Sequence, residues 1–342
     1  MSSILTYEEK IQTILNDNWT QFREFAGSGK AIDMDHWSTF FAYDVVTELA
    51  LGKALGMVKT GSDVNNTIQS VLGLFFFASN MGYMPLQNWW ITNRGTQWLI
   101  TNFGDPATTG EKFRLWLTDS VAKRYYAEKK RVKPQEKDML QHFIDAKDRD
   151  GNPNTFYNVM GEAGNVLGNR IERYVLTVGA GGDTTAIGIR ALMIYLMENP
   201  AYYKRVQQEV DEFYDKNIPN GEITFQQCLS LPFFQAVVKE TGRMYPSIVY
   251  QIPRYVPPEG ITIAGYDIPP GTPAGISAMA MNRSKQIFGE DANVFRPERW
   301  IENESRARYM DSLLATVSPR NVLLTLVWIR ESDMYRQKYC AC

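Results

Sequence analysis

Three short stretches carry residue types that can do chemistry. The first is Ala180-Gly181-Gly182-Asp183-Thr184-Thr185, with Gly179 just before it. Each glycine costs about 1 kcal/mol relative to Ala in a helix interior, so a helix that keeps three needs something to offset them. Glycines let a ligand approach the backbone closely, and an acid beside a hydroxyl can pass protons. A helix deformed here could therefore hold a small molecule and deliver protons to it. The competing reading is a helix break with Asp183 or Thr184 as an N-cap. A dinucleotide loop fits less well, because no strand precedes the glycines.

The second stretch, Glu240-Thr241-Gly242-Arg243, places a carboxylate and a guanidinium three apart on one helical face. Such a pair is ordinarily a surface ion pair worth about 0.2–0.5 kcal/mol. It gains meaning from the third stretch, Phe295-Arg296-Pro297-Glu298-Arg299-Trp300, a Pro-stiffened aromatic loop that offers a second guanidinium. A carboxylate shared by two arginines makes a rigid clamp, since planar forks can engage both oxygens.

The elements that must carry these residues are mostly helical. Ile11, Ile14, Leu15 and Trp19, then Phe40, Phe41, Val45, Val46 and Leu49, recur at helical spacing. Gly104-Asp105-Pro106 marks a loop, a helix holds Phe113, Trp116, Leu117 and Val121, and the charged run from Lys123 to Asp138, punctuated by Pro134, reads as a solvated helix end and loop. After the turn residues at 148–154, an apolar-periodic stretch runs to Glu198, and its part from Arg170 would make one helix of roughly 43 Å at 1.5 Å per residue. Helices over 201–215 and 231–244 follow. The pattern then changes to a hairpin, with Ile261 and Ile263 on one strand, Ala264-Gly265 at the turn, and Tyr266 and Ile268 on the other. The fold class is mainly α, an α+β arrangement with a small β-rich part near the C-terminus.

With 342 residues, 36 basic against 38 acidic and a formal charge of −2, the chain is globular in composition and has no field to attract nucleic acid. Cys228, Cys340 and Cys342 lack the spacing of a zinc site or a disulfide framework, and His36 and His142 read as surface histidines, so no metal site is expected from these residues. The start shows no signal peptide or anchor, and the apolar run at 71–78 is far below the roughly 20 residues of a spanning helix. It reads as a buried helix segment.

Taken together and in this order, the three stretches resemble the cytochrome P450 family of haem-thiolate monooxygenases, in the style of a fungal secondary-metabolism member. Ala180 to Thr185 resembles the family's oxygen-binding central helix, Glu240 and Arg243 its E-x-x-R pair, and Arg299 the third member of that structural clamp. The approach Pro269-Pro270-Gly271-Thr272 and the run from Met281 to Trp300 are also similar. The resemblance implies a P450-like helical fold over residues 1–316, a haem cofactor, O₂, electrons from an NADPH-cytochrome reductase and a hydrophobic small-molecule substrate. It implies that Thr184, with Asp183, supplies protons to oxygen bound at the haem, while Glu240, Arg243 and Arg299 hold the fold. An intact relative is expected on the cytosolic face of the endoplasmic reticulum membrane. The family's N-terminal anchor, first helices and first sheet are not found here, which suggests a cytoplasmic or degraded product.

The family also carries F-G-x-G-x-R-x-C-x-G shortly after this loop, because a cysteine thiolate ligates the iron. In this chain Thr316 is followed instead by a 317–342 tail without periodicity. Read one base later, that tail is informative. Trp328-Ile329 must contain GGA, a glycine, and Met334-Tyr335 must contain TGT, a cysteine. The remaining shifted codons permit F-G-Y-G-N-R-T-C-I-G-K-N-I-A. Val317-Ser318 can be GTAAGT and Leu326 plus the next base can be TTAG, which resemble intron signals. The tail is therefore expected to be a retained intron or a small frame-shifting insertion. The chain is then a monooxygenase body that lacks its axial ligand and is inactive in this form. The alternative is a pseudo-enzyme that binds a partner or an apolar ligand without iron.

Overall fold

The computed structural model describes residues 7–81, 89, 93–103, 111–129, 138–147, 151–160, 180–217, 223–249, 254–263 and 265–314. The chain divides into two compact units, 1–186 and 187–342.

In the first unit the helices are α1 (Glu8–Ser28), α2 (Met34–Leu51), α3 (Met57–Thr60), α4 (Thr67–Met81), α5 (Arg94–Phe103), α6 (Glu111–Lys129) and α7 (Met139–Asp145). The carboxylate of Asp33 caps α2 by accepting from the Asp35 N–H at 3.0 Å, and α2 ends at Gly52 with φ 67°, a left-handed cap that glycine adopts without a Cβ clash. Between those stops α2 is buried on nearly every side, from Trp37 to Leu51, as expected of a helix apolar all round. Its Asp44, 2% exposed, accepts the backbone N–H groups of Gly56, Met57 and Val58 at 2.8, 3.1 and 2.9 Å. One carboxylate thus satisfies the turn into α3 and its first N–H groups. A core of Ala50, Leu51, Phe113, Leu117, Val121 and Leu140 binds α2 to α6 and α7.

The second unit contains α9 (Pro200–Asn217), α10 (Phe225–Cys228), α11 (Pro232–Met244), α12 (Ala278–Met281), α13 (Lys285–Phe288), a 3₁₀ turn at Pro297–Trp300 and α14 (Glu304–Leu313). The unit boundary, between Ala186 and Ile187, falls inside α8 (Ala180–Glu198). The strands are β1 (Arg254–Tyr255), β2 (Ile261–Ile263), β3 (Tyr266–Ile268) and β4 (Pro273–Ala274). They form two antiparallel pairs, β1 with β4 and β2 with β3. The hairpin register joins Ile261 to Ile268 and Ile263 to Tyr266, and the facing Thr262 and Asp267 side chains add a cross-strand hydrogen bond of 2.7 Å. The mainly helical class with a small β part is therefore the observed one.

Two expectations change. The run at 71–78 is helical, but α4 is only partly buried: Val71 is inside while Leu72 and Phe76 are 58% and 75% exposed. Neither Asp183 nor Thr184 caps a helix, because α8 runs continuously from Ala180 and places both within its first turns. Residues 161–179, which include the expected start of that helix at Arg170, lie outside the described residues. So do the loop at 104–106, Pro134 and the whole 317–342 tail.

Candidate functional site

The clamp is built on α11. Pro232 opens this helix at its first position, where no N–H is needed. The next two N–H groups, of Phe233 and Phe234, donate to the Glu209 carboxylate of α9 at 2.9 and 2.8 Å. Phe233, Phe234, Ala236 and Val237 then bury one face, which carries Glu240 and Arg243 inside with them, each 0% exposed.

Glu240 and Arg243 form a two-point fork: Arg243 Nε donates to Glu240 Oε2 at 2.9 Å and Nη2 to Oε1 at 2.7 Å. Arg299 Nε donates to the same Oε1 at 3.0 Å. The structure therefore brings together the carboxylate and both guanidinium groups singled out by the sequence. It adds two donors that charge pattern alone did not mark, the Arg296 backbone N–H at 2.8 Å on Oε1 and Trp300 Nε1 at 2.9 Å on Oε2. Both belong to the Phe295–Trp300 loop that also carries Arg299, with Arg296 just before the 3₁₀ turn Pro297–Trp300 and Trp300 at its end.

The remaining guanidinium donors go to backbone carbonyls and, from Arg299 Nη1, also to the Asp291 carboxylate at 3.1 Å. Arg243 Nη1 donates to Asn282 O and Ala292 O at 2.7 and 2.6 Å, and Arg299 Nη1 to Phe288 O at 2.8 Å. Both arginines reach Val294 O, at 3.1 and 3.2 Å. Buried guanidinium groups spent this way stitch the loops at 282–294 to α11 and leave their donors committed within the protein. Asp291 is a further member the sequence did not mark. Burial works to raise its pKa, but hydrogen bonds from Arg296 and Arg299 outweigh that and hold it below the usual carboxylate range.

The glycine-rich stretch lies in the first unit, against α2. A Cβ on Gly181 would stand 2.9 Å from Val46 Cγ2, and one on Gly182 would stand 2.8 Å from two ring carbons of Tyr43. These glycines thus let two helices approach more closely than any side chain would permit. The Tyr43 hydroxyl donates to Asp183 Oδ1 at 3.2 Å. Burial raises the pKa of Asp183 and the phenol hydrogen bond partly offsets it, while burial and then the Asp183 charge push the Tyr43 phenol far up. Thr184 and Thr185 are half-buried beside this pair.

Comparison with known proteins decides the family. The cytochrome P450 profile matches residues 1–315. The chain belongs to the cytochrome P450 family. Pisatin demethylase of Fusarium vanettenii is 32% identical over 308 residues, 88% of this chain and 55% of that protein. A cytochrome P450 monooxygenase of Aspergillus terreus is 27% identical over 92% of this chain and 62% of its own length. A cytochrome P450 monooxygenase of Alternaria alternata is 26% identical over 98% of this chain and 86% of its own length. The chain spans about half the length of the pisatin demethylases it matches.

Cytochrome P450 membership implies a haem cofactor. Among the described residues the cysteine is Cys228, fully buried at the end of α10, where no porphyrin face could reach its sulfur. His36 is exposed and paired with Asp33 at 2.7 Å, and His142 is exposed on α7. No group of three or more His, Cys, Asp or Glu among the described residues is placed to hold a metal. The described residues therefore do not supply the axial thiolate the family uses, and Cys340 and Cys342 lie outside them. No helix among the described residues is long and apolar enough to cross a membrane.

Proposed function

We propose that this chain is the body of a haem-dependent monooxygenase of fungal secondary metabolism. Its intact form oxidises a hydrophobic small molecule with O₂ and electrons from an NADPH-cytochrome reductase at the endoplasmic reticulum membrane. Asp183 and Thr184 handle protons, Ala180, Gly181, Gly182 and Thr185 shape the helix around them, and Glu240, Arg243 and Arg299 hold the fold. The committed donors of the clamp support that last role, since a group with every hydrogen bond spent on its own loops has none to offer a substrate. The fungal monooxygenases among the relatives support the reaction class, and the demethylase among them supports an organic small molecule as substrate.

As translated, the chain does not hold haem through a thiolate and is inactive. The observation that carries this is the shifted frame of the tail: past the segment 317–326 that follows a family match ending at residue 315, an obligatory glycine and an obligatory cysteine fall at the family's spacing from each other. Joining Thr316 to the hidden phenylalanine restores the loop.

Sequencing genomic DNA and transcript through the Thr316 codon tests the proposal. The expected result is a shifted frame encoding the cysteine loop, with the ten codons 317–326 and one base removed from the mature message or present as an insertion. A stop codon in that frame sinks the idea. So does a purified 342-residue product whose reduced, carbon monoxide-bound spectrum has the thiolate Soret band.

A further inference from the structure

The Tyr43–Asp183 contact joins two residues 140 positions apart and stands outside the clamp. Tyr43 is 4% exposed, in the middle of α2, and its ring packs against Gly182, where the α8 backbone carries no side chain. A residue with a Cβ there would push the ring away and pull the hydroxyl off the carboxylate. The glycine and the tyrosine therefore form one device, in which the missing side chain lets a phenol reach the acid on the next residue. Among the described residues this is the hydrogen bond the Asp183 side chain makes, and it occupies Oδ1 alone. The other charged group that faces Tyr43 is Asp63, from the turn before Val64–Asn66. Its negative charge helps keep the phenol protonated and donating.

We infer that Tyr43 is a positioning residue for Asp183: its hydroxyl fixes the carboxylate through Oδ1, leaves Oδ2 as the oxygen that takes and releases a proton, and sets how tightly that proton is held. Burial alone favours the neutral acid, and a donor that cannot itself ionise in the working range favours the carboxylate. The balance makes Asp183 an acid that can change state. The inference rests on the reading of Asp183 as the proton-handling residue.

The test is a titration that needs no haem. In the full 342-residue chain carrying ¹³C-carboxyl aspartate, the Asp183 resonance is assigned by its loss in Asp183→Asn and followed against pH. Tyr43→Phe keeps the ring against Gly182 and removes only the hydroxyl, so the Asp183 midpoint rises by about one pH unit, a tenfold change in proton affinity. Val46→Ala loosens the neighbouring contact at Gly181 and leaves the midpoint in place. An unchanged midpoint in Tyr43→Phe, or an equal shift in Val46→Ala, overturns the inference. Should Tyr43→Phe fail to fold, 3-fluorotyrosine in place of tyrosine keeps the shape and strengthens the donor. The midpoint then falls, and a midpoint that stays or rises overturns the inference. Product formation by the frame-joined enzyme is a separate readout. If Asp183→Asn leaves it intact the proton-handling role is lost, while the titration still decides whether Tyr43 controls that carboxyl.

Discussion

Glu240→Gln is the substitution that most directly weighs the clamp. The carboxylate accepts five hydrogen bonds: three on Oε1, from Arg243 Nη2, Arg296 N and Arg299 Nε, and two on Oε2, from Arg243 Nε and Trp300 Nε1. An amide keeps one acceptor and turns the other position into a donor. Its cheaper orientation puts the new NH₂ where Oε2 was, facing two N–H groups that have no water to turn to. Each buried donor left without an acceptor costs about 1–3 kcal/mol. The loss of a fully buried anion between two guanidinium groups is a second view of the same event, and removing one partner of a buried pair costs about 3–5 kcal/mol. The two ranges overlap and do not add, so about 4 kcal/mol is expected. At roughly 2–4 °C per kcal/mol for a unit of this size, the melting temperature of the second unit drops by on the order of 10 °C. Thermal unfolding followed by circular dichroism measures it, with Trp300→Phe as the comparison. That variant removes one donor and leaves the carboxylate four, so its lost hydrogen bond costs about 1 kcal/mol. If Glu240→Gln costs less than about 1 kcal/mol, or no more than Trp300→Phe, the reasoning that treats this carboxylate as the knot of the loops is wrong.

Three further outcomes are expected. Gly182→Ala should destabilise by about 1–3 kcal/mol, because overpacking against the Tyr43 ring outweighs the gain in helix propensity, whereas Gly188→Ala, whose Cβ would meet only Ser247 Oγ at 3.8 Å, should stabilise by up to about 1 kcal/mol; paired urea titrations give both signs. Asp44→Ala should cost about 2–4 kcal/mol by stranding the N–H groups of Gly56, Met57 and Val58, and hydrogen exchange at those three amides should accelerate. Asp291 has its folded pKa below the unfolded value, so the stability it contributes is present above about pH 4 and lost as pH falls through the folded value. Asp291→Asn should therefore lower the melting temperature at pH 7 and converge on the parent curve in acid, and a gap of constant size across the range contradicts this.

Much of the scaffold was written in local pattern. Pro200 and Pro232 start their helices where proline is tolerated, and the alternation around Gly265 gives the hairpin its register. Glu240 and Arg243 could be paired from their spacing, the loop at 295–300 offered a second guanidinium, and the family resemblance pointed to Arg299 as the one. What spacing could not reveal was saturation. That Glu240 takes five donors, that Val294 O serves both arginines and that Asp291 braces Arg299 all depend on backbone groups from 282 to 296 arriving at one point. The glycines of α8 were legible as unusual, but their use as a seat for Val46 and Tyr43 was not, since those contacts span more than a hundred residues.

The sequence by itself determined the helical class, the Glu240–Arg243 spacing and the family resemblance, because periodicity and fixed spacing are local along the chain. The tertiary structure decided that the clamp is dry and fully committed, that two glycines serve helix packing, and that a tyrosine from α2 holds the acid of α8. Burial and hydrogen-bond partnership belong to the folded chain, since water competes for every one of these groups until distant segments meet and exclude it.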